Sequence, residues 1–121
     1  MLRAVDDVDG QGIYIRKLCD ALFDLDSRNE YVAFYNRRDQ LGRYFGRANV
    51  REVVVPGGGK LLWDQVLVPL AARRERLDVL FHHKFSIPLI SACPTVVQQR
   101  GTEYWSHPEF YVGMSGRLDQ L

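Results

Sequence analysis

The residues best suited to chemistry fall in three places. His82-His83-Lys84 closes an apolar run, Asp78-Val79-Leu80-Phe81, whose β-prone residues predict a strand over 78–82. Histidines there stand at the carboxyl end of the strand, the edge at which open α/β sheets hold ligands. Neighbouring strand residues point to opposite faces, so the pair cannot readily share a metal, and no third ligand follows at a metal-binding spacing. Gly10-Gln11-Gly12 lies just ahead of an amphipathic helix, where backbone amides and the helix dipole suit an anion. A tight turn alone would also account for it. Arg100-Gly101-Thr102-Glu103 comes after another predicted strand. Arg100 is a permanent cation suited to a phosphate or carboxylate. Tyr104 and Trp105 beside it suit either sugar stacking or cover for a sheet edge.

The elements that position these residues alternate. Residues 1–8 read as a short first strand, and Asp9-Gly10-Gln11-Gly12 as a turn. Ile13, Ile15, Leu18, Cys19, Leu22, Phe23 and Leu25 recur mostly at three- and four-residue steps, which predicts a helix over Ile13–Leu25. Strands are expected at Tyr31–Tyr35, Val50–Val55, Asp78–His82 and Pro94–Gln98. Leu41, Tyr44 and Phe45 are the expected anchors of a short helix within the arginine-rich stretch 36–49. A long helix is expected from Leu61 to about Leu77, kinked or broken at Pro69, and another opens at Tyr111. Apolar runs without alternation suit parallel strands buried on both faces. The fold class is therefore α/β, an open parallel sheet with helices on both faces.

The chain has 121 residues, which suits a single small domain, and 46% of them are hydrophobic. Its 16 Lys and Arg against 15 Asp and Glu leave a net charge of +1, so no basic excess advertises a nucleic-acid partner. Cys19 and Cys93 show no metal or disulfide spacing and read as small buried hydrophobes. With no signal-peptide pattern and no apolar run of spanning length, the expected setting is cytoplasmic. Arg73-Arg74-Glu75-Arg76 is expected to be solvated surface, although such a face could dock weakly on anionic lipid at the inner side of a membrane. Pro56-Gly57-Gly58-Gly59-Lys60 lacks the spacing of a phosphate-binding loop and reads as a flexible connection. Gly10-Gln11-Gly12 likewise lacks the third glycine of a dinucleotide fingerprint, which speaks against an unrelated nucleotide-binding domain.

Four segments, taken in order, carry a resemblance: Asp9-Gly10-Gln11-Gly12-Ile13-Tyr14, Asn29-Glu30-Tyr31-Val32-Ala33-Phe34, Leu61-Leu62-Trp63-Asp64-Gln65 running to Pro69-Leu70, and Leu77-Asp78-Val79-Leu80-Phe81-His82-His83 with Ile87-Pro88-Leu89 and Pro94-Thr95-Val96-Val97. Together they resemble the N-terminal domain of the GT-B glycosyltransferase family 4. The resemblance implies an incomplete, Rossmann-like, acceptor-side half of an enzyme that moves a sugar from a nucleotide-diphosphate donor to an acceptor. It implies no cofactor or obligatory metal, because the nucleotide sugar enters as co-substrate. It implies two partners, a C-terminal domain holding most of the donor and a sugar or lipid-linked acceptor. The chain alone is then expected to catalyse nothing, and its open apolar faces to favour self-association.

The resemblance places Gly10, Gln11, Gly12, His82, His83, Arg100, Gly101 and Glu103 at the cleft. Arg100 stands where the family typically has a histidine, so it cannot do what a neutral imidazole does. That departure favours an alternative, a non-catalytic binding module or split-subunit partner built on the same half-fold.

Overall fold

A computed structural model describes residues 10–83, 87–98 and 106–107. The expected first strand at 1–8 and the helix opening at Tyr111 lie outside these residues. The protein is mixed α/β, with short parallel strands and helices. It forms two compact units, Met1–Gly58 and Gly59–Leu121. The boundary falls in the predicted glycine connection, where Gly57 and Gly58 take φ of 102° and 73°, backbone that residues with a Cβ resist.

In the first unit, α1 spans Gly10–Leu25. The glycines expected in a turn are instead its first turn. Gly12 lies in the buried row that Ile15, Cys19 and Phe23 continue, so packing along that row overrides local turn preference. Strands β1 (Tyr31–Tyr35) and β2 (Val50–Val54) pair in parallel, with Tyr31, Ala33 and Tyr35 in register with Val50, Glu52 and Val54. The Phe23 ring meets Tyr31 of this face at 4.8 Å between centroids. Ala33, Phe34 and Tyr35 are buried in succession, so both faces of β1 are covered there, as the unbroken apolar run predicts.

The crossover from β1 to β2 is not the short helix expected. It holds one 3-10 turn, Arg38–Gln40, and of the three proposed anchors only Tyr44 is buried. Its ring stands edge-on to Phe23 at 4.9 Å, and the Arg47 guanidinium lies 5.9 Å from its centroid while pairing with Asp24. Leu41 and Phe45 are exposed, Phe45 by 92%. Glu52 holds the crossover to the sheet. Its carboxylate accepts from the Tyr35 hydroxyl at 2.8 Å and from the backbone N–H groups of Gly42 at 2.9 Å and Tyr44 at 3.4 Å.

Asp26 closes the turn from α1 into β1. Its carboxylate accepts from the N–H groups of Arg28 and Asn29, from the Asn29 amide and from the Tyr31 hydroxyl. The Tyr31 bond first, then those from Asn29 and Arg28, hold this carboxyl well below its ordinary 3.8. Asn49 completes the closure by donating to the Phe23 and Asp26 carbonyls at 3.0 and 2.8 Å.

The second unit opens with one helical segment in three stretches: α2 (Lys60–Leu62), a π-helical turn (Trp63–Leu67) and α3 (Val68–Arg74). Pro69 neither breaks nor ends it. An α-helical turn would press the proline ring on the Gln65 carbonyl, and the wider π coil, with the Val68 N–H reaching Trp63 O, makes room. Trp63 is core, and Val68 and Ala72 share its burial. The segment ends in a Schellman motif: Leu77 N–H donates to Ala72 O at 3.0 Å and Arg76 N–H to Arg73 O at 3.2 Å. Arg76 occupies the left-handed position, φ 53°, that glycine usually takes. The exposed Arg73 and Arg74 complement the helix C-terminus.

Strands β3 (Leu80–His82) and β4 (Thr95–Val97) pair in parallel, Leu80 with Thr95 and His82 with Val97, and are shorter than the apolar runs that contain them. Cys93 departs from the expected burial. It is half-buried, and only Cys19 is enclosed, its thiol pushed up by desolvation. Among the described residues, no helix is long and apolar enough to cross a membrane.

Arg76→Gly should raise stability by about 0.5 to 1 kcal/mol, since a left-handed β-carbon is removed; a lowered Tm would contradict this assignment. Asp26 contributes stability that is full above its unfolded-state value and is lost as pH falls toward its depressed native one. The gap between the native chain and Asp26→Asn in urea titrations should therefore narrow steadily below about pH 4. A gap that stays constant or widens in acid would count against the role given to this carboxylate.

Candidate functional site

The structure brings His82 and His83 together at the carboxyl end of β3, as the sequence predicts. His82 closes the strand and is fully buried, and His83 follows it, also buried. The parallel pair ends at this point. Gln98 N–H donates to His82 O at 2.8 Å, so the first residue past β4 is tied to the last residue of β3. Two parallel strands thus deliver His82, His83 and Gln98 to one sheet edge, the edge at which α/β folds meet ligands.

Gln65 belongs to a segment that the sequence singles out, but no role of its own is legible there. Gln65, in the π-helical turn, donates from Nε2 to Ile87 O at 2.8 Å and accepts at Oε1 from Leu89 N–H at 3.0 Å. A carboxamide carries one donor and one acceptor end, so it pairs with an extended backbone much as a neighbouring strand would. Here it grips both sides of Pro88 and fixes this stretch ahead of β4. Leu89 and Ile90 stay exposed beside the grip. The sequence itself shows only an amide between Trp63-Asp64 and the apolar Val66-Leu67-Val68, four residues ahead of Pro69.

Asp64, adjacent to Gln65, is the one buried carboxylate of this unit among the described residues. Burial of an acid is costly unless its charge or hydrogen bonds are met, so its place beside the buried Trp63 is a structural demand. Among the described residues, no group of three His, Cys, Asp or Glu side chains is placed to hold a metal ion.

The remaining candidates distribute differently. Gly10, Gln11 and Gly12 form the N-terminal turn of α1, in the other compact unit. That turn offers the amide ends of a sixteen-residue helix, the feature for which these residues were singled out. Arg100, Gly101 and Glu103, like Tyr104 and Trp105, lie outside the described residues. The arrangement in hand is therefore a strand end at which two buried imidazoles stand beside the Gln98 backbone.

Replacing Gln65 by alanine removes two hydrogen bonds, each worth about 1 kcal/mol, and should speed exchange of the Leu89 amide hydrogen by roughly tenfold. Unchanged Leu89 protection in Gln65→Ala would show that another group holds this segment.

No family model matches the chain, and neither a curated protein nor a solved structure matches it.

Proposed function

We propose that this chain supplies the acceptor-side wall of a glycosyltransferase of the GT-B type, with a Rossmann-like sheet as its scaffold. The observation that carries the reading is the buried His82-His83 pair at the carboxyl end of a parallel strand, with Gln98 tied to it across the sheet. Parallel pairing in both units and the ordered sequence segments support the same reading. Imidazole nitrogens both donate and accept, which suits them to sugar hydroxyls.

Transfer needs donor and acceptor held in reacting geometry, and the resemblance assigns most of the donor diphosphate to a second domain. In this reading the 121 residues bind an acceptor sugar but turn nothing over, the nucleotide sugar being co-substrate of the complete enzyme. A second reading, a binding module or split-subunit partner, rests on Arg100 at the position where a histidine is expected. A cation there would hold an anionic group without proton transfer.

The test is calorimetric titration of the chain with mono- and disaccharides and lipid-linked analogues, beside an assay for nucleotide-diphosphate release. Saccharide binding that falls about tenfold in His83→Gln, with no release from any nucleotide sugar, is the expected result. Turnover by the chain alone, or saccharide affinity indifferent to His83, would remove the basis of the proposal. Binding that requires an acidic sugar and is lost in Arg100→Ala would favour the second reading.

A further inference from the structure

Helix α1 carries more apolar surface than its own unit covers. The row Gly12, Ile15, Cys19 and Phe23 faces the unit's interior and is buried. A second row, Tyr14, Leu18, Ala21 and Leu25, runs beside it at alternating four- and three-residue steps, the spacing of a helix-pairing seam. Leu18 is half-buried, whereas Tyr14 is 39% and Leu25 87% exposed, and Leu22 at the margin of the row is 43% exposed. At 3.6 residues per turn the two rows point more than a right angle apart, so the second is not the rim of the first.

The charges flanking this row identify its occupant. Lys17 and Asp24 lie seven residues apart on one side of it, both exposed. If a second α1 runs antiparallel across the first, with the twofold axis near Asp20, then Tyr14 of each copy meets Leu25 of the other and Leu18 meets Ala21. In this register Lys17 of each copy lies on the same side of the seam as Asp24 of the other, offset by two residues, or about 3 Å along the axis, which a lysine side chain spans. The apolar matches and the charge matches therefore fall in one alignment, and a twofold axis makes each occur twice. A parallel twofold pairing would carry Lys17 and Asp24 of the two copies to opposite sides of the seam, so neither pair would form. Asp24 already holds Arg47, and a carboxylate accepts several donors. The net charge of +1 offers little opposing repulsion.

We infer that the outer face of α1 is a self-association surface, on which two copies of this chain pack α1 antiparallel about a twofold axis, with Lys17–Asp24 pairs at either end of a Tyr14/Leu18/Ala21/Leu25 seam. One short helix on each side covers less than a standard interface, so the dimer is weak and concentration-dependent. The inference rests on α1 alone and is independent of the acceptor-site reading.

Sedimentation equilibrium of the full chain tests it. The average mass should rise from the 14.0 kDa of one chain toward twice that value between about 10 µM and about 500 µM. Ala21→Glu, Leu25→Glu and Lys17→Glu should each raise the dissociation constant by about tenfold or more. Ile13→Glu, at an exposed position outside the seam, should leave it unchanged. Circular dichroism establishes that each variant is folded. Should Ala21→Glu fail to fold, Leu25→Glu at the last residue of the helix decides the matter. A chain that stays monomeric throughout overturns the inference. So does association that persists in the seam variants, which would place the contact elsewhere, for instance on the exposed Leu62, Val66 and Leu70.

Discussion

Parallel strands cannot be joined by a hairpin turn, and in this chain neither crossover between paired strands contains an α-helix among the described residues. Each crossover is held instead by one polar side chain that uses two of its atoms. In the first unit Glu52, standing on β2, grips the N–H groups of Gly42 and Tyr44. In the second, Gln65 grips the carbonyl of Ile87 and the N–H of Leu89. Without such ties a crossover of this kind has little to offset its conformational entropy. With them, the strand ends that follow are presented in a fixed place. The apolar core supplies most of the stability, but these two side chains decide where the irregular backbone runs.

Much of this architecture was legible in the residues. The periodicity from Ile13 to Leu25 identified α1, and the runs around Phe34, Val53, Phe81 and Val96 identified the strands, although the expected burial on both faces holds only in β1, and Val96 and Val97 of β4 are exposed. Boundaries were less legible. Gly10 and Gly12 read as a turn by their own preference, yet a row of packing partners three and four residues on draws them into the helix. Pro69 read as a kink, and the chain answers it by widening one turn rather than breaking. Arg76 holds a glycine's place, which no composition rule anticipates. Leu41 and Phe45 read as anchors because they are apolar, but the geometry of the crossover buries Tyr44 alone.

The candidate site divides along the same line. The place of His82 and His83 at a strand end was legible, because that end follows from the apolar run. Gln65 was not, since its role depends on backbone more than twenty residues away that only the fold brings within reach. Asp64 was overlooked for a related reason: an acid in a helix reads as solvated surface until packing turns it inward. The acceptor-wall reading therefore stands on one strand end and on the ordered segments of the sequence.

That reading turns on where a sugar lands, and amide and imidazole chemical-shift mapping during a saccharide titration measures this directly. The account predicts saturable shifts concentrated at His82, His83 and Gln98, with Leu89 following through the Gln65 tie. Shifts confined to residues far from the carboxyl end of β3, or none at saccharide concentrations well above those of ordinary weak recognition, would contradict it.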